Sequence, residues 1–382
     1  MKSLRLALLF FSAFGIRCLV WLTDIRKYLG LIEYDGWAYI SWGREMFSRI
    51  CSGDWSGFLV NPIHPPLGKL MIGVFTFLMD PILDPYESAI LLMCIISSIT
   101  SLFVYGIGSI LWGRRGGMIA WAAYTFDPFS MHWSMAWLDT PTLLFITVSQ
   151  YFLLRKTVLG KGCRAFLPSA FLYGLALMTK FHAMLFLPAV LIFLSDWKKR
   201  GLFTIISLTV FISNPQLWVS HGVEVVLREN LSVTGKSFQY LSFGSRFPLF
   251  ILAEIFYRLC VGYVGDGISP FLLPLFLFIL ITLRKAFFHK LGNVFLLKWV
   301  SWSLIGILLT PRLIYPEYYY MYLVVPLSML LTNILLNGHV EDRSGFLAEF
   351  LLRFFLIGSV MAIISLPINP LCWKTLVLAL AS

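Results

Sequence analysis

The chain is built from long apolar runs separated by short polar segments. A helix needs about 20 apolar residues, within a range of about 17–25, to cross a membrane, and these runs lack the alternation of barrel strands. We therefore predict an all-α, polytopic bundle of about eleven transmembrane helices. Their predicted ranges are 4–22, 88–112, 117–135, 138–154, 165–180, 182–196, 201–219, 267–283, 294–311, 318–336 and 348–366. The fifth and sixth lie so close together that they form either a tight hairpin or one broken helix.

Two connections are much longer than the others, near residues 23–87 and 220–266. Loops longer than about 12–15 residues are usually functional or disordered, and the aromatic-rich and glycine-rich composition of these two argues against disorder. Within the first loop, residues 67–80 are too short to span a membrane. The polar or small residues of this segment share one helical face: Lys69, Gly73, Thr76 and Asp80. The pattern predicts a helix lying in the membrane interface, with a mere amphipathic spacer as the alternative.

Basic residues are distributed unevenly along this pattern. If the N-terminus is cytoplasmic, 17 of the 30 Lys and Arg residues fall in or beside cytoplasmic segments, together with only four acidic residues. Because Lys and Arg collect in cytoplasmic loops, this bias predicts that both large loops are extracytoplasmic. The first apolar run has no small-residue cleavage site after it, so we interpret it as an uncleaved span. We expect a single membrane domain, with no soluble domain after the last span.

Composition strengthens the membrane prediction and narrows the partners. The chain is 59% apolar, 16% aromatic and 13% charged, with a mean hydropathy of +0.82. A soluble domain carries about 25% charged residues. The net charge of +11 is explained by basic cytoplasmic segments, so we do not expect a nucleic-acid partner. Six cysteines include no Cys-x-x-Cys pair, and neither a zinc site nor a redox motif is indicated.

A candidate catalytic carboxylate follows the first span, in Tyr-Asp-Gly-Trp-Ala-Tyr at residues 34–39. A carboxylate held among aromatic side chains at a membrane surface is partly desolvated, which raises its basicity. Asp35 is therefore a candidate general base, a role that contributes roughly 10²–10⁴-fold to a rate. On this evidence alone, a turn or helix-cap residue is the alternative.

Four segments in the first half of the chain resemble motifs of known enzymes. Residues 35–39, with Arg-Glu-Met at 44–46, resemble the opening of the polyprenyl-phosphate-dependent glycosyltransferases. Residues 61–70, Asn-Pro-Ile-His-Pro-Pro-Leu-Gly-Lys-Leu, resemble the His-Pro-Pro-Leu-Gly-Lys signature of the protein O-mannosyltransferases. Trp-Leu-Asp-Thr-Pro at 137–141 and Gly-Leu-Ala-Leu-Met-Thr-Lys at 174–180 resemble two further motifs of that family. The chain is thus similar to the GT-C group that contains the protein O-mannosyltransferases and the aminoarabinose transferases, and we expect an archaeal or bacterial relative.

The resemblance implies a GT-C membrane fold with juxtamembrane helices in the first outer loop and with Asp35 as the catalytic residue. It implies a dolichyl- or undecaprenyl-phosphate donor and inversion at the anomeric carbon. The sugar would be mannose or a related hexose, and the acceptor a hydroxyl of a protein, lipid or glycan. Two positions depart from the family. Gly36 replaces a second acidic residue, so no metal is predicted and a divalent cation stays an alternative. Ser134 stands about where an Arg usually precedes Leu-Asp.

A lipid phosphate in a partly dry site needs cations. Lys180 and Arg312 lie at the predicted outer ends of two spans, and a charge within a span is functional by default. The alternative is that both snorkel to lipid headgroups. The predicted donor-binding residues are His64, Lys69, Asp139, Lys180, Arg246, Arg312 and Tyr318. The alternatives for three of them are a structural hydrogen bond for His64, a helix cap for Asp139 and a place in the interface belt for Tyr318.

Two other functions stay open at the level of sequence. A transporter or flippase of lipid-linked sugars would be expected to show related halves with broken helices near mid-membrane, and no such symmetry is visible here. A catalytically inactive scaffold with the same fold would account for Gly36 and for the missing Arg.

Overall fold

The structure of the chain is a computed structural model. It describes residues 2–23, 34–127, 130, 138–159, 165–242, 291–308 and 321–337. Every regular element in these ranges is a helix, as predicted. Two of the predicted spans, 267–283 and 348–366, lie outside the described residues, so the number of spans stays a prediction. Two helices, Ser3–Leu22 and Pro85–Thr125, are long and apolar enough to cross a membrane by length and composition.

The described ranges contain α-helices that we number in chain order. They are α1 (Lys2–Thr23), α2 (Tyr34–Cys51), α3 (Pro66–Met79), α4 (Pro85–Thr125), α5 (Asp139–Leu159), α6 (Phe166–Thr179), α7 (Leu187–Leu191), α8 (Trp197–Ile212), α9 (Pro215–Trp218), α10 (Gly222–Ser242), α11 (Leu291–Leu308) and α12 (Met321–Asn337). Two 3₁₀ segments, Trp55–Leu59 and Phe181–Phe186, lie between them. The first large loop thus contains α2, a 3₁₀ segment and α3, and the second contains α10.

The α4 helix is two helices joined by a sharp bend. It begins at a cap in which the carboxylate of Asp84 accepts the backbone N–H groups of Tyr86 and Glu87. The bend falls at Trp112 and Gly113, where Gly113 has a φ of +72° that residues with a Cβ rarely adopt. The sequence analysis placed the boundary between its second and third spans at this point.

Three predicted spans are shorter or more broken in the structure. Helix α4 ends at Thr125, inside the predicted span 117–135, because Asp127 precedes a proline and its carboxylate accepts the N–H of Ser130; residues 131–137 lie outside the described residues. Helix α8 ends at Ile212 instead of 219, and Asn214 caps the new turn at Pro215. The span predicted at 182–196 is a 3₁₀ segment followed by the five-residue α7. The sixth predicted span is therefore broken, and the choice between a hairpin and one broken helix over both spans stays open.

The α3 helix is found where the short amphipathic segment was predicted, and its polar or small face packs against protein; its location in the membrane interface stays a prediction. Lys69, Gly73 and Thr76 are buried against the protein. Phe77 and Leu78 are exposed. The small residues therefore serve close helix packing, and the apolar residues face outward, as expected for contact with lipid.

Two glycines let α2 and α3 approach each other until their backbones touch. A Cβ at Gly43 would lie 2.5 Å from the carbonyl oxygen of Lys69, and one at Gly73 would lie 2.0 Å from the carbonyl oxygen of Gly43. A bidentate ion pair between Arg44 and Asp80, at 2.5 and 2.7 Å, closes the same contact. The hydrogen bond from Arg44 lowers the pKa of the Asp80 carboxyl. The first loop is thus a compact pair of helices.

One large apolar core contains residues of helices α2 through α8 and of α11 and α12. It includes Tyr39, Ile72, Leu138, Tyr173 and Tyr322. Helix α1 packs on α4 through a small cluster of Leu9, Ala13 and Trp121, and its Phe14, Cys18 and Trp21 lie against the large core. The helices that carry the four motif-like segments all belong to the large core, so their relative positions are set by side-chain packing.

We expect Gly43→Ala to lower thermal stability in detergent, because the added methyl forces two backbones apart. Overpacking typically costs about 1–3 kcal/mol. Gly15→Ala is the matched control, since Gly15 also lies within a helix but has no neighbour within 4 Å. There the better helix propensity of alanine should be neutral or stabilising. Equal thermal stabilities for the two variants would contradict the close α2–α3 contact.

Candidate functional site

Three of the four motif segments meet at Gly68, in the first turn of α3. A Cβ at Gly68 would lie 2.8 Å from Leu138 Cδ2 and 2.8 Å from Thr179 Cγ2. Residues 61–70 therefore contact both the Leu-Asp-Thr-Pro segment that begins α5 and the Thr-Lys that follows α6. The absence of a side chain at Gly68 is what permits this contact.

A buried ion pair lies beside this junction. Lys180, which follows α6, donates from Nζ to Asp139 Oδ2 at 2.6 Å, and the two side chains are 1% and 0% exposed. Tyr322, near the start of α12, donates its hydroxyl to Asp139 Oδ1 at 2.8 Å. Phe186 stacks on the Tyr322 ring at 4.1 Å between centroids. Both carboxylate oxygens thus bind groups outside α5, so Asp139 connects α5 to the end of α6 and to α12.

The second buried lysine is held by the backbone of its own loop. Lys69 donates from Nζ to the carbonyl oxygens of Val60 and Asn61, at 2.7 and 2.5 Å. Asn61 has a φ of +49°, in the left-handed region. Burial lowers the pKa of Lys69 to about 7, because no carboxylate compensates for its lost hydration. Lys69 therefore fixes the turn that leads to His64.

His64 connects the first large loop to α9. Its Nε2 lies 3.1 Å from the hydroxyl of Tyr39, and the two rings meet edge to face. Its carbonyl oxygen accepts a hydrogen bond from Gln216 Nε2 at 3.5 Å, and Gln216 lies in α9. Tyr39 is one helical turn after Asp35 on α2. His64 thus makes a structural hydrogen bond, the alternative role given for it above. Its partner Tyr39 lies one helical turn from the candidate base Asp35.

The predicted site residues fall into two groups. His64, Lys69, Asp139 and Lys180 are described and lie in the connected region around Gly68. For Asp35 the structure describes the backbone, in the first turn of α2. Arg246, Arg312 and Tyr318 lie outside the described residues. That any of these residues contacts the donor or catalyses transfer stays a prediction. Lys180 is already paired with Asp139 in the structure.

The sequence analysis missed Tyr39, Tyr322 and Gln216. Tyr39 could have been found from its spacing of four residues after Asp35, which places both on one helical face. Tyr322 and Gln216 carry no such signal, because each reaches the site from a distant part of the chain. Within the described ranges, no group of three His, Cys, Asp or Glu side chains is placed to hold a metal ion.

The fold is that of GT-C membrane glycosyltransferases. Over 94% of its length the chain is similar to an oligosaccharyltransferase of Archaeoglobus fulgidus solved with Zn and sulfate, with a TM-score of 0.55 and 13% identity. It covers 53% of that chain, about half its length. Over 98% of its length it is similar to ArnT of Cupriavidus metallidurans solved with undecaprenyl phosphate, with a TM-score of 0.52, 14% identity and 73% of that chain covered.

The sequence itself is similar to one family over part of its length. Residues 63–218 match a family model described as dolichyl-phosphate-mannose-protein mannosyltransferase. No curated protein matches the chain. The resemblance predicted from the four motifs is thereby confirmed, as is the GT-C fold that it implied. This fold supports the predicted multi-pass location in a membrane.

We expect Lys180→Met and Asp139→Asn each to lower stability, because each removes one charge of a buried pair whose mutual attraction offsets the cost of burial. Breaking a buried pair costs about 3–5 kcal/mol, and the double variant should cost less than the sum. The measurement is thermal unfolding in detergent.

The matched control for this cycle is Lys199→Met, which breaks a pair with Asp196 at 3.8 Å on the surface. Exposed pairs contribute about 0–1 kcal/mol. Additive effects of Lys180→Met and Asp139→Asn, each as small as that of the control, would contradict a structural role for the buried pair.

Proposed function

We propose that this protein transfers a hexose from a polyprenyl-phosphate donor to an acceptor hydroxyl, with inversion, on the extracytoplasmic side of the membrane. The single observation that carries the proposal is the meeting of three family-like segments around Gly68, beside the turn and helix that lead to Asp35. Segments that are far apart in sequence but form one surface are expected of a substrate site. The comparisons support a lipid-phosphate donor, because the ArnT relative was solved with undecaprenyl phosphate.

In the proposed reaction, Asp35 accepts the proton of the acceptor hydroxyl. The oxygen attacks the anomeric carbon from the side opposite the phosphate, and the carbon–oxygen bond to the phosphate breaks. The electron pair leaves with the polyprenyl phosphate, which needs little or no protonation at neutral pH. One carboxylate is therefore enough. Cations at the phosphate would stabilise the charge that develops there.

The leaving phosphate needs a cation that is not already neutralised. Lys180 is paired with Asp139, and Lys69 is held by two carbonyl oxygens. We therefore propose Arg312 as the main phosphate ligand, with Arg246 and His64 as further candidates and Tyr318 at the sugar. Lys180 would bind phosphate only if its pair with Asp139 opened.

One observation bears on the inactive-scaffold alternative. A Cβ at Gly36 would have no atom within 4 Å, so a side chain fits there. Packing therefore does not require a glycine in place of the family's second acidic residue. A catalyst that uses one carboxylate needs no acidic side chain at position 36, whereas an inactive scaffold would have lost a side chain that its ancestor needed.

We expect Asp35→Asn to lower transfer from a radiolabelled polyprenyl-phosphate sugar at least about a hundredfold, the low end for loss of a general base, with expression unchanged. Asp54→Asn is the control in the same loop, because Asp54 is an exposed cap whose oxygen accepts the N–H of Ser56. Wild-type turnover in Asp35→Asn would contradict the assignment of Asp35 as the general base. No transfer by the wild type with any donor, but transfer by Gly36→Glu, would favour the scaffold.

Reporter fusions test the side of the membrane. From the bias of basic residues, we expect fusions after residues 60 and 235 to be external and a fusion near residue 199 to be cytoplasmic. A cytoplasmic signal from the fusion after residue 60 would place Asp35 on the wrong side for an extracytoplasmic reaction.

A further inference from the structure

Helix α10 exposes a row of large apolar side chains. Val223, Leu227 and Leu231 are 50%, 56% and 69% exposed, and they recur every four residues on one helical face. Soluble surfaces rarely expose such a row. We call these three residues the α10 stripe.

The rest of α10 shows how the stripe is oriented. Val226 is buried, and the helix contacts α9 and the 3₁₀ segment Trp55–Leu59 of the first loop. Glu224 and Arg228, each one residue after a member of the stripe, are exposed charges. The helix therefore has a protein face, an apolar face and a charged edge between the apolar face and solvent. This is the arrangement of a helix that lies along a membrane surface.

The stripe continues an apolar surface that comes from α8. That helix exposes Leu202, Ile205 and Ile212, to 51%, 62% and 52%, as expected of a span that faces lipid. Trp218 follows, 72% exposed, with its indole N–H bonded to the carbonyl oxygen of Ile212. Tryptophan favours the boundary between lipid and water. The surface thus passes from a span, through an interfacial tryptophan, to the α10 stripe.

We propose that the α10 stripe inserts into the lipid leaflet on the side of the membrane where the candidate site lies. The occupant of this surface is lipid: acyl chains contact Val223, Leu227 and Leu231, and headgroups contact the charged edge. The second large loop is then held at the membrane surface beside the first loop, where α10 contacts Trp55–Leu59. The inference does not depend on transferase activity, only on the location of the protein in a membrane.

The test uses the full chain in vesicles of phosphatidylcholine and phosphatidylglycerol. An environment-sensitive fluorescent amino acid is encoded at residue 227, and in a matched variant at residue 228, on the charged edge. A second pair places it at residues 231 and 224. We expect quenching by phosphatidylcholine with a nitroxide near the headgroup to be at least about twofold stronger at 227 and 231 than at their partners, with the opposite order for iodide in water.

Three results would overturn the proposal. Iodide quenching at 227 and 231 as strong as at 228 and 224 would mean that the stripe faces water. Protection from both quenchers at every protein density would mean that another part of the chain covers it. Protection from both that is lost when each vesicle holds one copy would mean that a second copy covers it. Since the readout needs no donor or acceptor, failure of the transferase assay and failure of this proposal are distinguishable.

Discussion

The ion pair between Asp139 and Lys180 is the interaction on which the candidate site depends. It joins the start of α5 to the end of α6, and through Tyr322 it also holds α12, which comes from a distant part of the chain. Two charges taken out of water are costly unless their hydrogen bonds are well made. Because the Asp139 carboxylate binds both a lysine and a tyrosine, the cost of burying the charges is low in one arrangement of the helices and high in others. Any displacement of one helix would separate the two buried charges.

Small residues provide the second constraint, and they act where the first loop meets the bundle. Gly43 and Gly73 bring α2 and α3 into backbone contact, while Gly68 lets α3 reach Leu138 and Thr179. In a membrane, apolar area gives little preference for helix contact over lipid contact, so close packing and polar bonds decide which helices meet. The loop that carries Asp35 is thereby attached to the helix ends that carry Asp139 and Lys180.

Most polar side chains around this junction are engaged with protein partners. Lys69 fixes a turn through two carbonyl oxygens, and His64 bonds to Tyr39 and Gln216. These residues shape and rigidify the region, as the support of a reactive group requires. In the proposed reaction, Asp35 accepts a proton at the start of α2, and a framework of buried polar groups holds that helix in place.

The helical fold, the resemblance to the GT-C enzymes and the position of α3 could be predicted from the sequence, because apolar length and short motifs are local properties. The bend of α4 could be predicted too, since Gly113 and the two following arginines mark it. The three-dimensional structure was needed to show that the small face of α3 is buried and that Lys180 binds Asp139. It likewise revealed Tyr322 and Gln216 at the site. The periodicity of a helix shows that one face differs from the other, but which face meets protein depends on the neighbour. Partners separated by many residues, such as Asp139 and Tyr322, are chosen by the packing of helices and leave no trace in local spacing.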